Sequence, residues 1–437
     1  MFGYYFQLAL HSFRRNKVLT TLMVLAIALG IGASITTLTV YHVLSGDPIP
    51  HKSSQLFHPR VEPRSLGRGA RPDADPPEQL TRRDAEELLR QKRGTRQALM
   101  SGGVVTLLPE AQVVKPFRAQ SRYTTADFFP MFDAPLVAGR GWTAAEDAAH
   151  AHVAVITSEL GRKLFGNEQA VGRSLRVQQA TLQIVGVLDK WDLNPRFYDM
   201  TSRAFGGSEQ VFIPFTTSRD LRLDTQGSTS CWSNANQDEE GSRSVNAPCT
   251  WLQYWVELNT AEQVSAYRGY LTDYSEEQRR AGRFERPANV RLHDVLDWLD
   301  VKQVVPNDVR LQVWLAFGFL LVCLVNTMGL LLAKFLRRSG EIGVRRALGA
   351  SRSDILRQCL VEAGTIGLAG ALLGLGFAML GLWLVRQQPD DYAQLARLDS
   401  AMLLATFALA LAASLLAGLL PALRAMQIAP AIQLKSQ

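Results

Sequence analysis

Four stretches of this chain are each long and apolar enough to cross a lipid bilayer, and they limit its fold more than any motif does. A hydrocarbon core of about 30 Å takes roughly 20 helical residues. The stretches are 18–44 (VLTTLMVLAIALGIGASITTLTVYHVL), 311–335 (LQVWLAFGFLLVCLVNTMGLLLAKF), Cys359 to Val385 and Ala401 to Leu423; none has Lys or Arg at its centre. Between the first and second, residues 46–305 read as an ordinary soluble protein. A single soluble domain spreads its apolar residues periodically, so this split predicts an α-helical membrane protein. Its four transmembrane helices would carry a large α+β extracytoplasmic domain between helices one and two.

Charge orients the chain. Arg14, Arg15 and Lys17 precede the first span; Lys334, Arg337, Arg338, Arg345, Arg346, Arg352 and Arg357 follow the second; Arg424 and Lys435 follow the fourth. If the spans alternate, these clusters share one side, which the positive-inside bias makes the cytoplasm. Twelve basic residues against Glu341 and Asp354 give 12 − 2 = +10, more than the net charge of +7, so the rest is slightly acidic. The pI near 9.3 therefore reflects membrane orientation and calls for no nucleic-acid partner. The first apolar run, 27 residues with no small-x-small site at its end, is too long for a typical signal peptide.

The expected order is an amphipathic N-terminal helix (1–17), span one (18–45), a periplasmic domain (46–305) and span two (306–336). A cytoplasmic segment (337–358), span three (359–386), an external loop (387–400), span four (401–423) and a cytoplasmic tail (424–437) complete it. Phe6, Leu10 and Phe13 share a face of the first helix, which suits either a helix lying against membrane lipid or simply the flank that sets orientation.

Within the external domain, Pro- and Arg-rich residues 58–79 read as loop, and Thr81 with Asp84 has capping-box spacing before a helix. HVAVIT (152–157), SLRVQQATLQIVGVL (174–188), QVFIPF (210–215) and WLQYWVELN (251–259) read as strands, with SELGRKLFG a helix ended by Gly166. Cys231 and Cys249 bracket a polar loop; an oxidising compartment favours a disulfide there over two free thiols. His150 and His152 lack further ligands at metal-binding spacing, and His51 and His58 fall in predicted loop, so all four read as solvated; no metal site is expected. No GxSxG frames a nucleophile, and no Gly-Lys pair occurs in these 437 residues. Without the lysine of a phosphate-binding loop, the chain by itself is not expected to be an enzyme or to bind a cofactor.

The segment SRYTTADFFPMFDAPLVAGRGWTAAEDAAHAHVAVITSELGRKLFGNEQAVGRSLRVQQATLQIVGVL resembles the periplasmic core domain of MacB-type ABC permeases. The resemblance lies in Phe128-Phe129, AGRGW ending at Trp142, Glu146-Asp147, Val155-Ile156, the LFG ending at Gly166 and Val171-Gly172. RRSGEIGVRRALGASRSDILRQCLVEAGTIGLAGALLGLGFA resembles the signature segment of the FtsX/MacB superfamily, and PALRAMQIAPAIQL its ending, though Ala429 stands where an acidic residue commonly precedes the proline. The resemblance implies a permease dimer, of like or related copies, driven by a separate ABC ATPase that holds ATP and Mg. The external domain would move and drive export through a periplasmic adaptor and a TolC-like outer-membrane channel. It also implies a variable subdomain, placed here at 216–285. Lipoprotein release and control of cell-wall hydrolases are alternatives within the class, and a membrane-anchored sensor is one outside it.

By the same resemblance, Glu341, Ile342, Gly343, Val344, Arg345, Arg346, Ala347, Leu348 and Gly349 form the coupling helix that sits in a cleft of the ATPase. Ile342, Val344, Ala347 and Leu348 would give it an apolar contact, with Gly349 ending the helix. A plain positive-inside anchor is the other reading. Ala26, Gly30 and Ser34 recur every fourth residue in span one, and Gly370 and Gly374 form a GxxxG in span three. They suit either a sliding contact, between copies or spans, or static packing within one chain. Asn326 is expected to hydrogen-bond across helices. Glu362 is expected near the cytoplasmic interface, paired with Arg357 or Arg345 or snorkelling to water.

Overall fold

The computed structural model describes residues 17–66, 74–109, 115–166, 169–201, 204–207, 209–232, 241–389, 392–398 and 400–426. The amphipathic helix expected before Lys17, residues 233–240 of the polar loop, and the tail from 427 on, Ala429 included, lie outside them. The chain forms two units, one comprising Gly46–Val304 and the other the segments on either side.

Helix α1 (Lys17–Ser45) leads into the Gly46–Val304 unit. That unit is built on one mixed sheet. Its principal strands are β1 (Leu56–Arg60), β2 (Arg96–Leu107), β3 (Phe117–Thr124), β4 (Leu136–Gly139), β5 (Val153–Thr157), β6 (Ala180–Leu188), β7 (Val211–Pro214), β8 (Cys249–Glu257) and β9 (Arg291–Asp294). They lie side by side as β9-β1-β8-β2-β3-β7-β5-β6-β4. β3 pairs parallel with β7 and β5 parallel with β6, and the other neighbours are antiparallel.

Side chains alternate across a sheet, so one strand feeds two faces. Leu99, Ala154, Ile156, Val211, Ile213 and Tyr254 enter one apolar cluster. Their neighbours Ala98, Met100, Val153, Val155, Phe212 and Trp255 enter another. Both faces are covered, which is why these strands read as unbroken apolar runs. The first cluster takes in residues of α2 (Arg82–Gln91), α3 (Ser158–Phe165) and α5 (Ala261–Arg280), and Phe215 of α4 (Phe215–Asp220). The second is aromatic: Phe128 meets Phe132, Trp191, Tyr198 and Phe212 at centroid distances of 5.0–5.7 Å. Residues of α6 (Val295–Val301) join it.

Three expectations need correcting. Residues 56–60 are a strand that takes in the first three residues of what read as loop, because Pro59 disguises a segment that is buried throughout. His58 is buried, 4.3 Å from the Trp298 ring centroid, with Nδ1 2.9 Å from the Tyr254 carbonyl and Nε2 2.7 Å from that of Glu78; burial pushes its pKa down to about 4. Segment 216–285 supplies β8, hydrogen-bonded between β1 and β2, so it is woven into the sheet and not set apart. The hairpin β2–β3 went unread, and its middle holds a buried charge cluster. Arg122 donates to Asp199 at 2.5 Å and to Glu209, and Tyr198 donates to Glu209 at 3.0 Å. Burial opposes ionisation of Glu209, yet Arg122 and Arg196 hold it down to about 2. Cys231 and Cys249 are bonded, tying a two-residue strand to the start of β8. His150 is exposed and paired with Asp220 at 2.5 Å, and the described residues hold no cluster of three or more metal-type ligands.

In the other unit, α1 is joined by α7 (Asn307–Arg337), α8 (Ser339–Ala347), α9 (Arg352–Val385) and α10 (Ser400–Met426). Helices α1, α7, α9 and α10 are long and apolar enough to span a membrane. They pack as a ring in which α9 and α7 each touch both α1 and α10. Small residues set the contacts. A Cβ on Gly370 would lie 2.6 Å from Ile27, and one on Gly374 3.1 Å from the Ala28 carbonyl, so the GxxxG faces α1 of its own chain. Gly30 meets Leu320 of α7, Ser34 donates to the Ala316 carbonyl at 3.2 Å, and Ala26 is half-buried. Asn326 is exposed and makes no helix-to-helix hydrogen bond among the described residues, contrary to expectation.

Candidate coupling site

Helix α8 lies between the ends of α7 and α9. It starts where Arg338 leaves the α7 conformation, at φ −100° and ψ 10°, and it stops at Gly349, whose φ of +103° suits glycine. The Ala350 N–H donates to the Arg345 carbonyl and the Gly349 N–H to that of Arg346, the paired bonds of a glycine-terminated helix. Ser351 then caps α9 in a reciprocal box with Asp354. The chain thus reverses through a short helix with both ends satisfied.

One face of α8 is fastened to the membrane unit. Ile342 is 8% exposed and joins the core cluster of Phe335, Ile355 and Cys359, and Gly343 is buried beside it. Polar contacts form a ladder around this seat. Glu341 accepts from Arg338 at 3.3 Å and from Arg345 at 3.1 Å; Arg345 also donates to Gln358 at 3.0 Å. Arg338 donates to Glu362 at 3.3 Å, and Lys334 pairs with Glu362 at 2.7 Å. Lys334 and Glu362 are buried. Arg346 donates to the Met426 carbonyl at the end of α10, at 3.5 Å. So α8 is bound to α7, α9 and α10 at once.

Two expectations change here. Glu362 pairs with Lys334 and Arg338, and not with Arg357 or Arg345, because the reversal lays the end of α7 beside the start of α9. The four apolar residues of the helix also divide. Ile342 packs inward, whereas Val344 and Leu348 are 55% and 82% exposed and Ala347 is exposed between them. Three exposed apolar residues thus stand on a helix whose other face is fastened.

Two family profiles match: MacB-like periplasmic core domain over residues 20–274 and FtsX-like permease C-terminal over 313–430. The first alone covers more than half of the 437 residues. The chain belongs to the MacB/FtsX-like ABC permease family. As a family member with four apolar helices, it is an inner-membrane protein whose α+β unit is periplasmic. Macrolide export ATP-binding/permease protein MacB 1/2 of Paracoccus denitrificans (strain Pd 1222) is 28% identical over 313 residues, 69% of this chain and 40% of that protein. Pyoverdine export ATP-binding/permease protein PvdT of Pseudomonas syringae pv. syringae (strain B728a) is 28% identical over 364 residues, 77% of this chain and 49% of that protein. The MacB/FtsX-like chain thus spans about half the length of these relatives, or less. The periplasmic region of MacB from Actinobacillus actinomycetemcomitans aligns with 59% of this chain and 96% of its own at 14% identity, with a TM-score of 0.36. That score is too low to add to the assignment.

Proposed function

We propose that this chain is the permease subunit of a MacB-like ABC transporter. Its α8 would seat on a partner ATPase that holds ATP and Mg, with both termini in the cytoplasm. Two permease copies, identical or related, would act together. Nucleotide-driven closure of the ATPase would push α8, and the push would pass through the membrane helices to the periplasmic unit. Substrate in the periplasm would leave through an adaptor and an outer-membrane channel.

The observation that carries this reading is the division of α8 into a fastened face and a free one. A segment needed only for orientation requires basic residues, and Arg337 and Arg338 supply those. It has no need of an exposed Leu348 on a helix bound to three neighbours.

Leu348→Asp tests it, because the substitution adds a charge on the free face and leaves Ile342 and the ion ladder untouched. Affinity purification from native membranes should recover an ATPase with the parent chain and at least about tenfold less with the variant, the loss of one buried leucine contact. Equal recovery would return α8 to a topological role. Recovery of an adaptor beside the ATPase supports export. Recovery of the ATPase with a cell-wall hydrolase or lipoprotein partner supports mechanotransmission without export.

A further inference from the structure

We propose that a second copy of this chain packs along the outer face of α7, with the Asn326 side chains of the two copies hydrogen-bonded to each other. The inference rests on the two-copy part of the reading above and is independent of the ATPase contact.

A polar side chain in the wrong solvent is the observation that points to a partner. The midpoint of α7 (Asn307–Arg337) is residue 322, so Asn326 stands four residues, about 6 Å, from it. That depth is well inside a hydrocarbon core of about 30 Å. The side chain is exposed and has no hydrogen-bond partner among the described residues. Three span hydroxyls instead turn back to a carbonyl of their own helix. Thr327 donates to that of Cys323, Thr365 to that of Glu362 and Thr406 to that of Met402, each at 2.8 Å. An asparagine amide has two N–H donors and an acceptor oxygen, and lipid tails answer none of them.

Asn326 also belongs to a stripe. Leu315, Phe319, Val322, Asn326, Gly329 and Ala333 follow one another at steps of 4, 3, 4, 3 and 4 residues, and all six are exposed. That alternation is the spacing at which two helices keep a single seam in contact. The neighbouring Cys323 and Thr327 are buried within the chain, so α7 already uses its other face for its own bundle. Gly329 has nothing within 4 Å of a would-be Cβ, and with Ala333 it would let a second backbone come close.

Symmetry singles out a second copy as the occupant. The flanking charges give every copy the same orientation in the membrane. Two α7 helices therefore meet in parallel about a two-fold axis, and each seam residue faces itself. Asn326 then meets an amide that carries both a donor and an acceptor, so the pair is self-complementary. A lone asparagine in the seam of a parallel pair also fixes its register. Lipid offers no such match.

Cysteine cross-linking in isolated membranes tests this, on the full chain carrying Cys323→Ala and Cys359→Ala. Leu321 and Val322 are adjacent and 62% and 65% exposed, but only Val322 lies on the seam. With copper phenanthroline, Val322→Cys should give at least about fivefold more disulfide-linked dimer than Leu321→Cys, whose position points away from the partner. Adding Asn326→Leu should cut the Val322→Cys yield about threefold or more, the worth of one interhelical hydrogen bond in lipid, and Asn326→Gln should restore part of it. Equal yields at the two positions, linkage of Val322→Cys to a different protein, or an undiminished yield with Asn326→Leu would overturn the proposal. ATPase recovery is measured on the same membranes. Its loss with the seam intact supports this inference and fails the coupling reading alone; its retention without Val322→Cys linkage fails this inference alone.

Discussion

Asp147 shows how much one residue's surroundings can matter. Burial, with Asp127 and Glu146 nearby, raises its pKa from 3.8 to about 6, so the folded state holds its proton more tightly than the unfolded chain. Its contribution to stability is therefore fully present below about pH 3.8 and is lost as pH rises through about 6. Asn at this position cannot titrate, and its amide would face a donor. The advantage of the parent over Asp147→Asn should be greatest near pH 4 and shrink by about 1–2 kcal/mol by pH 8. Thermal midpoints in detergent at the two pH values measure this, and an advantage that stays level or widens would rule the ionisation out. Glu362 presents the opposite case, a carboxylate whose role is to compensate a neighbour. Glu362→Gln leaves Lys334 buried without a full countercharge and should lower stability by about 3–5 kcal/mol, while adding Lys334→Met should recover much of that loss. A double variant no more stable than Glu362→Gln alone would contradict the pairing. Neither environment was legible beforehand. Asp147 stood in a quoted motif and Glu362 in an apolar run, but the Ala126 N–H that Asp147 accepts and the cations that Glu362 answers are 21 and 24 or more positions away in the chain.

At the scale of elements, local signals fared better. Thr81 accepts from the Asp84 N–H at the start of α2, and Thr157 from the Leu160 N–H at the start of α3, because a cap needs only a few consecutive residues. The strand read as 174–188 is two, Ser174–Val177 and Ala180–Leu188, turning at Gln178 with φ +51°. Nothing in VQQAT marks that turn with glycine or asparagine, so it escaped notice. Glycines in the spans were visible as small residues, but not as small residues with particular neighbours. Gly370 has Ile27 against it, while Gly376 has nothing within 4 Å of its would-be Cβ. Gly370→Leu should therefore force α9 from α1 and cost roughly 1–3 kcal/mol or more, whereas Gly376→Leu should be nearly neutral. Equal thermal shifts for the two would show that the packing is not as described. In α8, Gly349→Ala should cost about 1 kcal/mol by strain at a positive φ, read as a lower midpoint with the ATPase contact retained.

For the whole molecule, the arrangement predicts a labelling pattern. Cysteines placed at exposed Arg280 in the periplasmic unit and exposed Ser351 after α8 should respond oppositely to an impermeant thiol reagent added to spheroplasts. Arg280→Cys should label at once and Ser351→Cys only after permeabilisation, against a background of buried Cys323 and Cys359. Labelling of both from outside would overturn the cytoplasmic placement of α8. Four spans, a large domain after the first and a charged reversal before the third were readable from hydropathy and charge alone. The sheet order was not, since β8 joins β1 across nearly the full length of the domain.

The division has a physical cause. Crossing a bilayer is a property of roughly 20 consecutive residues and their flanking charges, so a sequence by itself determines it without reference to any other segment. The family motifs are equally local runs, and they identified the permease. What only the tertiary structure decided are relations among distant residues: that Ile342 turns inward while Leu348 stays free, that Lys334 answers Glu362, and that His58 is buried. Burial and hydrogen bonding are settled within a few ångströms, and which residues come that close depends on the packing of the whole chain.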